Sequence, residues 1–424
     1  MMLDLPQYDK RMIEASGVKN IEPEEIQSLL QEYTERYTDC FFNKSQRRYF
    51  RIFLEGLLSN LDRKSIEPIA LAFCEEKEVR GFQQFFKRSL LPDEVLKNRY
   101  QEISSETMSA PGGMLSVDGS DFVKKGTHSV GVARQYCGRL GKTENCQAGI
   151  FAGYASERGY GLVNSRLYIP ECWFSPDYEG RRKKCLMPES LKFQTKNEIA
   201  SELLNDILAK GQFQVKWIGC DAAFGCDHAF LKSLPDSVSY FASVKANELI
   251  FKKMPKMTIP ESPIGKSGRR FQHSIPSIAP VSVKSIAEDD SIAWSQVVLA
   301  QGAKGSTIAD VKCIRCASCV STTKFGNYIA PAEEVWVYIR KYADRTIKYF
   351  LSNAPANTPL KELHRAATMR WPIEQCFEEC KSYLGMSHYE SRTYLAWHRH
   401  MQLVMIAHLF TLLLRVRFKK TAFF

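Results

Sequence analysis

The stretch "SAPGGMLSVDGSDF", residues 109 to 122, separates two kinds of sequence pattern. Before it, apolar residues recur at helical spacing; after it, they run in short strand-like blocks. "SAPGG" (109–113) is a cluster of turn formers, and "MLSVDGSDF" begins as an apolar run leading into Asp118 and Asp121. Upstream, "QRRYFRIFLEGLLSNL" sets Phe50, Phe53, Leu54, Leu57 and Leu58 on one helical stripe beside arginines. "SIEPIALAFC" and "VRGFQQFFKRSLL" read as two further short helices. Downstream, "ENCQAGIFAGYAS" and "GYGLVNSRLYIP" read as strands joined through "SERGYG". "KNEIASELLNDILAKG" is an amphipathic helix stopped at Gly211, followed by strand-like "FQVKWIGCDAAFG" and "SYFASVKAN". Three strands, then helix, strand, helix, strand predict a mixed α/β sheet.

A Pro/Ser-rich stretch, "MPKMTIPESPIGKSGRR", then interrupts the pattern, and "SIAWSQVVLAQG", "IADVKCIRC" and "EEVWVYIRKY" follow as strand-like pieces. This predicts a mostly β insertion over 251–345. The sheet resumes with "TIKYFLSNAP", and from Pro359 the chain reads as helical. The expected organisation is a helical region over 1–108, an α/β core over 109–250, the insertion, and the second part of the core with C-terminal helices over 346–424. No internal repeat is evident.

An apolar fraction of 44% with 25% charged residues excludes a disordered chain. The net charge of +11 favours a polyanionic partner. "LVMIAHLFTLLL" (403–414) is too short to span a bilayer and reads as a buried core helix. The start, "MMLDLPQYDKRM", lacks the basic and apolar regions of a signal peptide. Thirteen cysteines, an odd number, fit reduced thiols and a cytoplasmic location.

Asp118 and Asp221 each end a predicted strand, where a packed core no longer covers a side chain. "RWPIEQCFEECK" (370–381) adds Glu374, Glu378 and Glu379 at the start of a helix. Carboxylates gathered at a sheet edge form a hard-oxygen site suited to Mg²⁺ or Mn²⁺. Two such ions about 3.5–4 Å apart activate a nucleophile and stabilise a leaving oxygen on a phosphodiester. The bland alternative is that "DGSD" is a turn and that Asp221 caps a short helix. Asp121 competes with Asp118.

Four ordered blocks, "SVDGSDFVKKGTHSVGVARQYCGRLGKTENCQAG", "GCDAAFG", "FLSNAPANTPL" and "RWPIEQCFEECKSYLGMSHYESR", resemble the DDE transposases of bacterial insertion sequences. Within these, the blocks look most like the branch with a tyrosine–arginine–glutamate–lysine signature. Arg370, Glu374 and Lys381 fit its spacing; its tyrosine position is Ala367, leaving Tyr383 or Tyr389 to supply that contact. The resemblance implies an RNase H-like α/β catalytic core, interrupted by the β insertion and preceded by an all-helical DNA-binding region. It implies Asp118, Asp221 and Glu374 as catalytic, metal-binding carboxylates holding two Mg²⁺ or Mn²⁺ ions, with Glu378 and Glu379 as surface charges. Arg370 and Lys381 would hold phosphates, as would Lys124 and Lys125 beside the site, and Trp294 of the insertion would stack on a flipped base. The implied activity is cut-and-paste transposition: cleavage of the element's ends and strand transfer into target double-stranded DNA by a homodimer, with no membrane partner, in the bacterial nucleoid. A transposase-derived protein that only binds DNA, and a two-metal nuclease without strand transfer, are the alternatives.

Other motifs have plainer readings. Cys313, Cys316 and Cys319 lack the fourth ligand of a structural zinc site and read as ordinary thiols. His398 and His400 are two apart, so a helix turns them away from each other. "RRKK" (181–184) reads as a solvated face.

Overall fold

A computed structural model gives the structure of residues 22–87, 90–259, 274–302, 305–322 and 328–418, with Tyr8 and Arg11. Residues 260–273 of the Pro/Ser-rich stretch lie outside these. The chain forms two compact units, Met1–Val215 with Trp371–Phe424, and Lys216–Arg370.

In the first unit the described residues before "SAPGG" form the helices Pro23–Glu35, Lys44–Leu58, Ile66–Phe73, Val79–Lys87 and Asp93–Met108. Asn43 starts the second of these by accepting the Gln46 N–H at 3.0 Å. Its stripe of Phe50, Phe53, Leu54, Leu57 and Leu58 is buried throughout. These helices pack around the long helix Tyr394–Phe418. The Tyr33 hydroxyl donates to the Ile406 carbonyl (3.0 Å). The Arg399 guanidinium donates to both Asp93 oxygens (2.7 and 2.8 Å) and to the Phe85 and Phe86 carbonyls. "LVMIAHLFTLLL" is the middle of this 25-residue helix. By length and composition alone the helix could cross a membrane, but most of its apolar window is buried inside the protein.

The sheet of the first unit is antiparallel. β1 (Gly113–Val123) pairs with β3 (Lys142–Ser156), and β3 pairs on its other side with β2 (Ala133–Cys137) and then β4 (Gly159–Tyr168). Strand β2 goes beyond the three strands expected from sequence. Its five residues, "ARQYC", carry too little apolar character to signal a strand, and pairing to β3 decides it. The helix Lys196–Lys210 is fixed locally. Thr195 and Glu198 form a reciprocal capping box at its start, and Gly211 ends it at φ 62°, in the left-handed region.

In the second unit β5 (Val215–Cys220) runs parallel to β6 (Ser239–Val244). From β6 the sheet continues through antiparallel pairings. β7 is Leu249–Phe251, β8 Val281–Ser282, β9 Ser295–Gly302, β10 Gly305–Thr322, β11 Tyr328–Tyr342 and β12 Ile347–Ser352. The order is β6–β12–β11–β10–β7–β8, with β9 also on β10. The described residues of 295–342 are thus β-structure, and their strands extend the sheet through β12. The helix Leu360–Met369 follows.

Candidate active site

Asp118 directly follows the buried run Gly113–Val117 and is half-buried. It stands at the middle of β1 and not at the strand end expected from sequence, because pairing with β3 carries the strand on to Val123. Its Oδ1 accepts the Gly119 N–H at 2.7 Å. Alternation along the strand sets Asp118, Ser120 and Phe122 on one face and Asp121 on the other. Asp121 Oδ2 accepts the Gly138 N–H (2.7 Å) and so ties down the β2–β3 turn. Geometry therefore separates the two aspartates that the sequence left in competition.

The helix Pro372–Ser382 packs on this sheet. Pro372, which has no N–H to offer a preceding carbonyl, stands in its first turn. Ile373, Cys376, Phe377 and Cys380 form its buried stripe. Phe377 meets Phe151 of β3 edge to face, ring centroids 5.3 Å apart. Glu374 and Lys381 flank that stripe, both half-buried. The Lys381 ammonium stands 5.5 Å from the Phe122 ring and 5.9 Å from the Phe377 ring. Burial, and then the nearby Arg139 charge, hold it below the ordinary lysine value, while Asp121 and Asp118 pull the other way. Lys381 thus lies within reach of both β1 carboxylates, Asp121 and Asp118.

Glu378 is exposed, as expected, but Glu379 is not a surface charge. It is 8% exposed and bonded from every side: His408 Nε2 donates at 2.7 Å, Arg415 Nη2 at 2.9 Å, the Tyr160 hydroxyl at 2.9 Å and Gln375 Nε2 at 3.0 Å. Burial alone would push its carboxyl up; the bonds and charges of His408 and Arg415 outweigh that and hold it at about 2. No sequence signal marks this, because Tyr160, His408 and Arg415 meet Glu379 only in three dimensions.

Asp221, in the second unit, directly follows β5 and caps the short helix Ala222–Gly225. Its Oδ1 accepts the amides of Ala223 (2.9 Å) and Phe224 (3.3 Å). The capping role weighed from sequence is therefore real, and both bonds end on one oxygen. Gly225 seats that helix directly on β6: a Cβ there would lie 2.1 Å from the Ser243 carbonyl oxygen. Arg370 is the C-cap of the helix Leu360–Met369.

The remaining candidates divide. Lys124 is half-buried and donates to the Tyr389 carbonyl at 2.6 Å, with burial pushing its ammonium down to about 8; Lys125 is exposed. Tyr389 is buried, its hydroxyl donated to the Thr393 carbonyl (2.9 Å), so it is not placed to replace the signature tyrosine; Tyr383 is half-exposed. Trp294 is half-buried, its ring 4.7 Å from the Lys312 ammonium and 4.4 Å from that of Lys341. In β10 the threefold spacing sends Cys313 and Cys316 to opposite faces, and burial pushes all three thiols of the cluster up to about 12. All thirteen cysteines are free thiols. His398 accepts the Leu167 N–H and bonds the Tyr394 carbonyl, and His400 bonds the Gly385 carbonyl, so both serve the helix packing. In "RRKK", Arg182 donates to the Trp173 and Ser175 carbonyls and Lys183 pairs with Glu179. Within neither unit, among the described residues, do three His, Cys, Asp or Glu side chains gather into a metal-holding group.

A family model described as DDE superfamily endonuclease matches residues 36–306. Asp118 and Asp221 lie inside that stretch and Glu374 beyond it. A curated relative from Microchaete diplosiphon, "Probable transposase for insertion sequence element IS701", is 24% identical over 226 residues, 52% of this chain and 55% of the relative. The chain thus spans about half the length of the curated relative it matches. Among solved structures it is similar to the piggyBac transposase synaptic complex with hairpin DNA, determined by cryo-EM. That likeness has 9% identity and a TM-score of 0.40, and covers 98% of this chain and 77% of that one. It is also similar to the crystal structure of the NurA nuclease from Sulfolobus solfataricus, with 10% identity, a TM-score of 0.29, and coverage of 68% and 85%.

Proposed function

The chain belongs to the DDE superfamily endonuclease family, and on that premise we propose that it is the transposase of an insertion sequence, acting on double-stranded DNA as a homodimer. The observation that carries the reading is the middle of β1: Asp118 and Glu374 stand half-buried on a strand and on the helix packed across it, with Lys381 over Phe122 beside them. Asp221, at the end of β5, is the third carboxylate of the reading. The strand pattern, antiparallel β1, β3 and β4 in one unit and parallel β5 and β6 in the other, supports an RNase H-like core split by the β insertion.

The donor set fits Mg²⁺ or Mn²⁺, since carboxylate oxygens are the hard ligands these ions take, and Asp118, Asp221 and Glu374 would hold them. Such ions, when bound, supply Lewis-acid stabilisation of phosphoryl oxygens. The chain's own residues do the rest. Arg370, Lys381 and Lys125 hold the phosphates that flank the scissile bond, and Trp294 stacks on a displaced base. Water breaks the phosphodiester at the element's end, leaving a 3′-hydroxyl. That hydroxyl then attacks the target strand, so cut-and-paste transfer needs no covalent protein–DNA link.

The test is incubation of the purified chain and Mg²⁺ with linear DNA carrying both flanks of its own reading frame, plus a target plasmid. Cleavage at the ends and joined products are expected, and neither should form with Asp118→Asn. Cutting without joining leaves a nuclease and overturns transposition. No cutting in either Mg²⁺ or Mn²⁺ overturns both.

A further inference from the structure

The β2–β3 hairpin reaches back to the end of β1 through the Gly138–Asp121 bond, and its turn closes with the Gly141 N–H donating to the Cys137 carbonyl at 3.0 Å. Alternation along β2 sends Gln135 and Cys137 inward. Gln135 Nε2 donates to the Cys146 carbonyl (2.9 Å), and Cys137 is fully buried. The same alternation leaves Arg134 and Tyr136 on the outer face, both exposed. Tyr136 is 63% exposed, and Leu140 in the turn is 44% exposed.

A single exposed apolar side chain is ordinary. Here an aromatic ring and a leucine stand among three exposed cations, Arg134, Arg139 and Lys142, with the single carboxylate of Glu144 3.5 Å from Lys142 and near enough to Arg134 to feel its charge. Arg139 follows Gly138, which is bonded to Asp121, and the Lys381 ammonium stands over the ring of the adjacent Phe122. The two cations therefore lie near enough to repel, with Asp121 and Asp118 pulling the other way. A further anion between two such cations is attracted by both. A flat ring beside such a pair matches a nucleic acid strand, which offers a phosphate and a base face at each step.

We propose that the β2–β3 hairpin is a DNA-holding finger, in which Arg139 and Lys381 share one backbone phosphate beside Asp118 and the Tyr136 ring stacks on an unpaired base of the opened end. Arg134 and Lys142 take flanking phosphates. The proposal rests on the endonuclease reading of the neighbouring carboxylates and adds the element that holds the strand being cut. DNA is favoured as the occupant by charge: the chain carries +11, and the hairpin presents three exposed cations beside one exposed aromatic ring.

The experiment measures binding of the full chain, by fluorescence anisotropy over a salt series without divalent ions, to a blunt duplex of about thirty base pairs and to the same duplex with a short unpaired 3′ tail. Tyr136→Ala is expected to weaken binding of the tailed duplex about tenfold and to leave the blunt duplex nearly unchanged, while Tyr136→Phe matches wild type. Arg139→Ala is expected to weaken both alike and to reduce the slope of log affinity against log salt by about one. Both side chains are exposed, so unchanged melting temperatures are expected for these variants. Tyr136→Ala binding both probes like wild type, or losing equally on both, overturns the stacking; an unchanged salt slope in Arg139→Ala overturns the shared phosphate. Wild-type protein that binds neither probe instead overturns the endonuclease reading itself.

Discussion

Glu374 and Glu379 lie five residues apart on one helix and occupy opposite environments. Glu379 points into the packed side, where His408, Arg415, Tyr160 and Gln375 all donate to it. Glu374 lies half-buried on the flank that also carries Lys381, toward β1. In the packed region the Glu379 carboxylate meets two cations and four donors, so the arrangement supports the fold. Beside β1, Lys381 meets the like charge of Arg139 and the opposite charges of Asp121 and Asp118. A fold that seals one glutamate so completely and leaves the other half-buried beside a lysine separates the requirements of stability from those of ligand binding.

That contrast predicts opposite phenotypes from similar substitutions. The largest expected effect is on catalysis. Glu374→Gln should lower DNA cleavage at least about a thousandfold, a loss of about 4 kcal/mol in barrier terms, with the melting temperature unchanged. Glu379→Ala should do the reverse. Removing one partner of a buried ion pair strands Arg415, and the loss of stability is expected to be about 3–5 kcal/mol by denaturant unfolding. A Glu374→Gln protein that melts early, or a Glu379→Ala protein that unfolds like wild type, would erase the distinction.

Acid should act on the packed region ahead of the region beside β1. His400 is buried against Phe53 and Tyr389, and burial pushes its imidazole down to about 4, partly opposed by its bond to the Gly385 carbonyl. The unfolded chain binds that proton near pH 6.5 and the folded chain only near 4. Stability is therefore complete above about pH 6.5 and declines as pH falls toward 4, by on the order of 2 kcal/mol at pH 5. The Glu379 contribution has the same sign in a lower window: it is full above about 4.5 and lost as pH falls toward 2. Calorimetric scans from pH 7.5 down to 4.5 check the first window. A flat profile there would mean that His400 titrates as an ordinary histidine. The smallest expected effect is that of Lys381→Ala, about a tenfold loss in cleavage rate with little change in melting temperature, since its ammonium lies over aromatic rings and is not part of the sealed cluster.

Much of this was legible from sequence because it is local. The helix Lys196–Lys210 follows from its own capping box and terminal glycine, and the start of the helix Pro372–Ser382 from its first-turn proline. The apolar run in "MLSVDGSDF" puts Asp118 on the first strand, though at its middle and not at the expected end, because β3 pairs with β1 as far as Val123; "GCDAAFG" puts Asp221 directly after β5. The misreadings are non-local. Strand β2 exists only because β3 supplies its hydrogen-bond partners. Nothing local shows that the Lys124 ammonium is bonded to the Tyr389 carbonyl, 265 positions away. Nor does anything local show that Tyr389, one of two tyrosines that could stand in for the signature tyrosine, is a core residue.

By itself the sequence determined the elements, their order and the residue types that can hold a hard cation or a phosphate. Those depend on backbone sterics, periodicity and side-chain chemistry within a few residues. Only the tertiary structure decided which glutamate of "EQCFEE" is sealed and which stays at the surface, and which of Asp118 and Asp121 shares a face with Lys381. The physical reason is that burying a charge is costly unless partners arrive to meet it. Those partners, at Tyr160, His408 and Arg415, come from elsewhere in the chain and are brought together only by folding.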